Sequence, residues 1–326
     1  MMLCSTDVKR QEPAGLRDYI RIARLDHATK HLFIVPGVVL GAMLRGVRVE
    51  NIYLSALLGL ITAIAIASAN YAINEFLDRE FDRHHPAKLS RAAVRREMKG
   101  TIVFLEWLIL IMVGLGSALL HSRLMFFVAL IFALQGVFYN VRPLRTKDKA
   151  YLDVASESIN NPVRLVIGWA MVDPTSLPPG SLILAYWCGG AFLMGAKRLS
   201  EFRDIAASHG LELLTSYRAS FKGYTETSLA ASCLSYALLS VSFLSIFLIK
   251  YRIEFILLLP FITALFVFYF SLACQPGSTA QKPERLFREK GLMLILAAVI
   301  VVFAFTSEFS IPWLEPLTSQ HYVELK

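Results

Sequence analysis

The sequence predicts an all-α, polytopic membrane protein with nine transmembrane helices. Of its 326 residues, 56% are hydrophobic, and the mean hydropathy is +0.53. The apolar residues lie in long runs, and a helix needs about 20 of them to cross a bilayer. The nine runs lie near 31–48, 53–75, 101–121, 124–140, 158–173, 181–197, 226–249, 254–274 and 291–310.

The distribution of basic residues predicts how these helices are oriented. The segments between the runs alternate in basic content, and 26 of the 33 Lys and Arg residues fall on one side. Because basic loops stay in the cytoplasm, the N-terminus is predicted to be cytoplasmic and, with nine spans, the C-terminus outside. This topology accounts for the net charge of +8 without a nucleic-acid partner. A bacterial-type inner membrane is the expected location.

The runs are predicted to form one transmembrane domain over residues 31–310. A cytoplasmic N-terminal segment (1–30) precedes it, and an extracytoplasmic tail (311–326) follows it. Residues 15–27 have the pattern of an amphipathic helix on the membrane surface. The N-terminal segment lacks the apolar core of a signal peptide. The four cysteines are scattered without a CxxC pair, so they predict neither a disulfide framework nor a zinc site.

The most informative polar residues follow the second run. Asn74, Asp78 and Asp82 recur every four residues, and on a helix this spacing places them on one face. Carboxylates are costly near hydrocarbon and mark ion, proton or substrate sites. Three oxygen donors on one face suit a hard divalent cation such as Mg²⁺, and through it a diphosphate. The alternative interpretation is a solvated helix end.

A basic segment after Asp82 supports the diphosphate interpretation. It contains Lys88 and Arg91, whose charges would neutralise the phosphate oxygens that the metal leaves free. Two carboxylates and one amide suffice, because Mg²⁺ is usually held by one or two carboxylates together with phosphate and water. His84 and His85 have no further His or Cys at ligand spacing, so they are interpreted as loop residues.

A second charged cluster ends the sixth run. Lys197, Glu201 and Asp204 share a helix face, and Arg198 lies three residues before Glu201. One interpretation is a second metal or phosphate contact that faces the first cluster. The other is an ordinary helix end in which Lys197 and Glu201 pair with each other.

Two further segments place charge near the bilayer. Arg164 lies within the fifth run, where an Arg must face the protein interior, either to bind substrate or to pair with Glu157. Tyr139, Arg142 and Arg145 close the fourth run. Their ring and charges fit a substrate contact, although an interfacial anchor also explains the tyrosine.

Taken together, these residues resemble the UbiA superfamily of intramembrane prenyltransferases. The resemblance rests on the Asn74-x-x-x-Asp78-x-x-x-Asp82 motif, the basic residues behind it and the cluster at 197–204, and it covers nearly the whole chain. It implies nine helices around a central cavity that opens to lipid. In that cavity, Mg²⁺ held by two acidic motifs binds an isoprenyl diphosphate. Loss of the diphosphate leaves an allylic cation-like carbon that an acceptor captures.

The residue pattern and the resemblance together select the site residues. The expected metal ligands are Asn74, Asp78, Asp82, Glu201 and Asp204, and the expected catalytic residues are Asp78, Asp82 and Glu201. The expected substrate contacts are Lys30, Lys88, Arg91, Tyr139, Arg142, Arg145, Arg164, Lys197 and Arg198.

The sequence departs from the common family pattern at both motifs. Glu75 replaces the usual Asp, and the second cluster is rich in Lys and Arg rather than Asp. These departures are similar to the decaprenyl-phosphate phosphoribosyltransferases. That branch shows His-x-x-Lys-x-x-Phe, as in His27 to Phe33, and His-Pro-x-Lys, as in His85 to Lys88. There the diphosphate belongs to phosphoribosyl diphosphate, and a lipid phosphate is the acceptor.

The predicted function is Mg²⁺-dependent transfer of a polyprenyl group from an isoprenyl diphosphate to an aromatic or lipid acceptor. Phosphoribosyl transfer to polyprenyl phosphate is the alternative. A secondary transporter is a remote alternative, because transporters carry their ionisable residues in mid-span. Here the carboxylates gather at helix ends beside long basic loops.

Overall fold

The computed structural model describes residues 12–85, 88–281, 286 and 288–317; for residues 26–29 and His209 it describes the backbone only. Within these ranges the chain forms fourteen α-helices and no β-strand beyond one isolated bridge between Pro13 and Glu97. The predicted all-α class is confirmed. Residues 1–11 and 318–326, which belong to the two predicted flanking segments, lie outside the described residues.

The α-helices are short at the charged loops and long elsewhere. In chain order they are α1 Leu16–Ile22, α2 Val35–Arg45, α3 Ile52–Leu77, α4 Arg79–Asp82, α5 Ala92–Arg95, α6 Gly100–His121, α7 Arg123–Asn140, α8 Leu152–Ser158, α9 Asn160–Ala170, α10 Gly180–His209, α11 Leu211–Tyr217, α12 Glu226–Tyr251, α13 Leu259–Ala273 and α14 Lys290–Glu308. The 3-10 helices are Leu25–Ile34, Thr146–Asp148, Ala219–Gly223, Ile253–Leu258, Thr279–Gln281 and Pro312–Leu317.

Six helical segments in the described part of the chain are long and apolar enough to cross a membrane. They are Ile52–Leu77, Gly100–His121, Arg123–Asn140, Glu226–Tyr251, Ile253–Ala273 and Lys290–Glu308. The other three predicted spans also coincide with helices, but α2 and α9 are short and α10 carries the second charged cluster. The count of nine spans therefore stays a prediction.

The fifth predicted span, 158–173, starts at a break between the helices α8 and α9. Pro162 has no N–H to donate to the carbonyl of Ser158, and α8 ends at Ser158. The following helix, α9, packs closely against α2 because Gly37 and Gly168 have no Cβ. A Cβ at either position would collide with a backbone carbonyl of the facing segment. The break thus brings α8 and the start of α9 into the interior of the bundle.

Two large apolar clusters stabilise the two halves of the bundle. One joins α3, α6, α7 and α9 and contains Ile66, Phe132 and Ile167. The other joins α10, α12, α13 and α14 and contains Phe192 and Tyr269. Side chains of both halves meet at one end, where α3 and α7 finish and α10 reaches its charged cluster. We call this the charged end.

Helix α1 covers part of the charged end. Its Tyr19 and Ile22 are buried against Ala72, Ala93 and Val103 of the bundle. The predicted helix over 15–27 is therefore present as a shorter helix over Leu16–Ile22. Its position on a membrane surface stays a prediction.

Candidate active site

A cavity of about 410 Å³ opens at the charged end between α3, α7, α8 and α10. Of its 22 lining residues, seven are Lys or Arg, four are Asp or Glu and six are Asn or Gln. Met194 is the only aliphatic side chain among the described residues that line it. The cavity is therefore highly polar and has an excess of positive charge.

The first predicted motif contributes Asn74 and Asp78 to this cavity. Asp78 caps the C-terminus of α3, and one of its oxygens lies 2.6 Å from Lys147 Nζ and 2.8 Å from Arg145 Nη2. The other oxygen accepts only a long hydrogen bond of 3.3 Å from the Asn74 amide. Asn74 also donates to Asn140 at 2.6 Å. One carboxylate oxygen of Asp78 thus remains weakly occupied beside the cavity.

Asp82 is arranged differently from the sequence prediction. Its side chain is 1% exposed and does not line the cavity. Lys88 Nζ lies 2.9 Å from one of its oxygens, and Arg91 binds the other. Lys88 and Arg91 do line the cavity, so Asp82 holds two cations in place from behind. Residues 86 and 87, between Asp82 and these cations, lie outside the described part of the chain.

The loop after α7 supplies two buried cations, of which the sequence analysis selected only one. Arg145 and Lys147 are 8% and 4% exposed and bind Asp78, whereas Arg142 is exposed; none of the three lines the cavity. Burial lowers the pKa of Lys147 to about 8, although the charge of Asp78 opposes this shift. Tyr139 is buried and lines the cavity, as expected of a substrate contact.

The second motif contributes Glu201, which faces the first motif across the cavity. His85 Nε2 lies 3.1 Å from its Oε1, and the Tyr217 hydroxyl donates to the same oxygen at 3.2 Å. Arg198 Nη1 lies 3.3 Å from Oε2. The self-paired alternative, Lys197 with Glu201, does not form within the described residues. His85 therefore joins the two motifs, a role that its sequence spacing did not predict.

A fully buried carboxylate that the sequence analysis missed holds this part of the site together. Asp153, on α8, is 0% exposed and accepts from Tyr224 at 2.7 Å, from Ser220 at 3.0 Å and from Arg198 at 3.3 Å. Arg218 approaches it to 4.0 Å. The sequence gives no local signal for this role, since the four partners lie 45 to 71 positions away.

Three other predicted substrate contacts are distributed between the cavity and the core. Lys30 and Lys197 line the cavity. Arg164 is 4% exposed, as an intramembrane Arg must be, but it does not line the cavity. Its guanidinium lies 5.1 Å from the Phe132 ring centroid and donates to the Asn160 carbonyl at 3.1 Å. The described contacts therefore give Arg164 a packing role.

The oxygen donors that line the cavity show whether the site fits Mg²⁺. Asn74, Asp78 and Glu201 line the cavity, and Asp78 keeps one weakly occupied oxygen. Within the described part of the chain, no three His, Cys, Asp or Glu side chains form a metal site by themselves. This is a fit for Mg²⁺, which keeps several waters and takes phosphate oxygens along with one or two carboxylates.

Asp204 lies outside the cavity, and this placement can be tested. Its oxygens accept from the Gly277 backbone at 3.1 Å and from the Gln281 amide at 2.5 Å. We expect Asp204→Asn to keep turnover within about threefold and to lower stability by about 1 kcal/mol, because one acceptor is lost. Steady-state rates measure the turnover, and thermal unfolding in detergent measures the stability. A loss of activity at saturating substrate that Mg²⁺ restores would instead support the predicted metal role.

Comparison with known proteins identifies the family. Residues 34–298 match the model of the UbiA prenyltransferase family. The nodulation protein NoeC of Azorhizobium caulinodans is 25% identical over 236 residues, which cover 70% of this chain and 71% of NoeC. The protoheme IX farnesyltransferase of Geobacillus thermodenitrificans is 29% identical over 176 residues, 50% of this chain and 55% of that enzyme.

The fold also matches a solved structure of a UbiA homologue from Archaeoglobus fulgidus bound to GPP and Mg²⁺. The TM-score is 0.66 at 18% identity, and the match covers 89% of this chain and 99% of the homologue. The sequence-predicted resemblance is thus confirmed at the level of family and fold. The chain belongs to the UbiA prenyltransferase family and is an integral membrane transferase.

Proposed function

We propose that this protein catalyses Mg²⁺-dependent transfer of a group from a diphosphate donor to an acceptor that enters from the lipid. The cavity carries this proposal: oxygen ligands and the paired cations Lys88 and Arg91 surround one polar space at the end of a membrane bundle. Following the Lys/Arg asymmetry, we place the charged end on the cytoplasmic side. The homologue of Archaeoglobus fulgidus, which binds GPP and Mg²⁺, supports the same pairing of metal and diphosphate.

Asn74, Asp78 and Glu201 are the residues that would hold Mg²⁺, and each has a protein partner that fixes its orientation. Bound there, Mg²⁺ neutralises the diphosphate and makes it a better leaving group. We assign Asp82 to the cations rather than to the metal, because both its oxygens are bound by Lys88 and Arg91. These fixed cations stabilise charge that develops on the departing diphosphate.

An isoprenyl diphosphate is one candidate donor. The similarity to the farnesyltransferase relative and to the GPP-bound homologue supports it. Against it stands the lining of this cavity, where an isoprenyl chain would contact a single aliphatic side chain, Met194. The chain would have to leave the cavity at once for the lipid, because apolar groups gain little in a polar surrounding.

The cavity geometry supports phosphoribosyl diphosphate better, with polyprenyl phosphate as the acceptor. Asn70 Oδ1, Asn160 Oδ1 and Arg218 Nε are buried beside the cavity without a hydrogen-bond partner among the described residues. Buried polar atoms without partners are costly, and ribose hydroxyls and phosphate oxygens would satisfy them. An excess of cations also suits two phosphorylated substrates. The prenyl chain of the acceptor then needs no place in the cavity.

The step balances without a protein base. An oxygen of the lipid phosphate forms a bond to the anomeric carbon while the bond from that carbon to the diphosphate breaks. The diphosphate leaves with the electron pair of the broken bond. A phosphate monoester is already ionised near neutral pH, so no proton has to be removed from the attacking oxygen.

A labelling experiment tests the proposal and chooses between the donors. Purified protein with Mg²⁺ is incubated either with labelled phosphoribosyl diphosphate and polyprenyl phosphate, or with labelled geranylgeranyl diphosphate and an acceptor extract. We expect label from phosphoribosyl diphosphate in the lipid extract and none after EDTA treatment. Label from geranylgeranyl diphosphate alone would favour the isoprenyl donor. Metal-independent incorporation would contradict the proposed chemistry.

A further inference from the structure

Two lysines in the cavity differ from Lys88, Arg91, Arg198 and Arg218, each of which is paired with a carboxylate. Lys30 and Lys197 form no ion pair or hydrogen bond with any described residue, and both line the cavity. Arg24, which also lines the cavity, has no ion pair among the described residues either. We propose that Lys30 and Lys197 form a second anion-binding subsite, which binds the anionic group of the acceptor rather than the donor diphosphate. This inference rests on the proposed function, because it divides the same cavity between two substrates.

The contrast in pairing separates the two sets of cations. Lys88 is paired with Asp82 at 2.9 Å, and Lys147 is paired with Asp78 at 2.6 Å. Those lysines are held in position before any ligand arrives. Lys30 has only the Tyr71 ring, whose centroid lies 4.9 Å from its Nζ. A desolvated cation without a counter-ion is costly, and an anionic ligand removes that cost.

The two unpaired lysines also lie deeper than the carboxylate layer. Tyr71, under Lys30, precedes Asp78 by seven residues on α3, which is about 10 Å along the helix axis. Lys197 precedes Glu201 by four residues on α10, which is about 6 Å. Lys197 lies on α10, and Lys30 lies on the 3-10 helix Leu25–Ile34 beside Tyr71 of α3. Both are thus on the inner side of the first layer. A diphosphate held at Asp78 and Glu201 does not occupy this second layer, which is therefore available to another group.

Glu157 is the lining carboxylate that interacts electrostatically with both Lys30 and Lys197, which also repel each other. Glu201 also interacts with Lys197, but it is already bound by Arg198, His85 and Tyr217. A single carboxylate cannot neutralise two ammonium groups, and Arg198 beside them is already bound to Asp153 and Glu201. The second layer therefore keeps a net positive charge that selects an anion.

A neighbouring cavity gives this subsite a route from the lipid. Its volume is about 550 Å³, and it shares Arg24, Glu75 and Arg91 with the main cavity. Ile20 of α1 and Leu25 line its outer part and are 53% and 59% exposed. An apolar rim followed by a basic interior fits a lipid whose head group carries negative charge. The ligand class is thus an isoprenoid or other lipid with a phosphate monoester or a carboxylate.

Direct binding tests the subsite on the full chain in lipid nanodiscs. The probes are farnesyl phosphate without metal, and inorganic diphosphate with Mg²⁺. We expect Lys197→Met and Lys30→Met to weaken farnesyl phosphate binding about tenfold or more, because each removes one charge-assisted contact. Diphosphate binding should change less than about threefold, while Lys88→Met, at a paired lysine that lines the cavity, should show the opposite pattern. Lys222→Met, at an exposed lysine of the same end, is the matched control and should change neither.

Farnesoic acid, the corresponding isoprenoid carboxylate, distinguishes the two anions. Preferential binding of either anion over neutral farnesol supports the subsite and identifies its ligand. Methionine has a length similar to that of lysine, and in each single variant the other lysine still faces Glu157, so both variants should fold with a Tm close to that of the unsubstituted protein. Equal losses for both probes, or no loss for farnesyl phosphate, would overturn the subsite. If the unsubstituted protein binds farnesyl phosphate but not Mg²⁺-diphosphate, the proposed function fails while the subsite stands.

Discussion

Asp78→Asn is expected to lower turnover by about 10³-fold without unfolding the protein. Asp78 is the carboxylate of the first motif that lines the cavity. Its less occupied oxygen accepts only the long hydrogen bond from Asn74. The substitution keeps the size of the side chain and one oxygen, but it removes the charge that attracts Mg²⁺. Lys147 and Arg145 lose their shared counter-ion at the same time.

The measurement is the initial rate of label transfer at several Mg²⁺ concentrations. For Asp78→Asn we expect the Mg²⁺ concentration at half-maximal rate to rise together with the loss of rate. Asp148→Asn is the matched control, because Asp148 pairs with Arg145 at 2.8 Å on the solvent side and does not line the cavity. Full activity of Asp78→Asn with an unchanged Mg²⁺ requirement would contradict the assignment of this metal ligand.

The spacing of the first motif predicted that Asn74, Asp78 and Asp82 share one face; the structure places Asn74 and Asp78 at the cavity and Asp82 behind it. Their role as metal ligands stays a prediction. The prediction assumed one continuous helix. In the structure α3 ends at Leu77, and a one-turn helix begins at Arg79. The ψ of −1° at Asp78 departs from the helical value, so a four-residue spacing across this residue no longer ensures a shared face. The segment that contains Lys88 and Arg91 then folds over Asp82.

The basic loop after α7 shows a second limit of sequence reasoning. It contains four similar cations, and their side chains differ only in where the loop turns. Arg145 has a left-handed backbone with φ of 30° and is buried together with Lys147, whereas Arg142 and Lys149 are exposed. Composition shows that phosphate-binding cations are present. Only the folded loop shows which of them face inward.

In the second motif, the structure places Glu201 at the cavity and Asp204 outside it. Glu201 and Arg198 face the cavity, since one turn of α10 carries both. Asp204 is bound by Gly277 and Gln281, in a loop more than 70 positions away. Contacts of this kind depend on tertiary packing and leave no periodic pattern in the sequence. Asp153 was missed for the same reason.

Asp153→Ala is expected to destabilise the protein by about 3–5 kcal/mol, the largest loss of stability that we predict. Removing this carboxylate leaves Arg198 and Arg218 buried near an empty space, and it leaves two hydroxyl groups without an acceptor. A buried charge without its partner is far costlier than a missing neutral hydrogen bond. Because Arg198 also binds Glu201, the remaining folded protein should lose activity too.

Equilibrium unfolding in mixed detergent micelles measures this effect, with Ser220→Ala as the matched control. Ser220 donates one hydrogen bond of 3.0 Å to the same carboxylate, so its loss should cost about 1 kcal/mol and leave both arginines paired. The loss of stability in Asp153→Asn should lie between those of Asp153→Ala and Ser220→Ala, since the asparagine side chain keeps the shape of the aspartate but not its charge. If Asp153→Ala and Ser220→Ala prove equally stable, the two arginines do not depend on Asp153. The positioning of Glu201 would then have to come from His85 and Tyr217 alone.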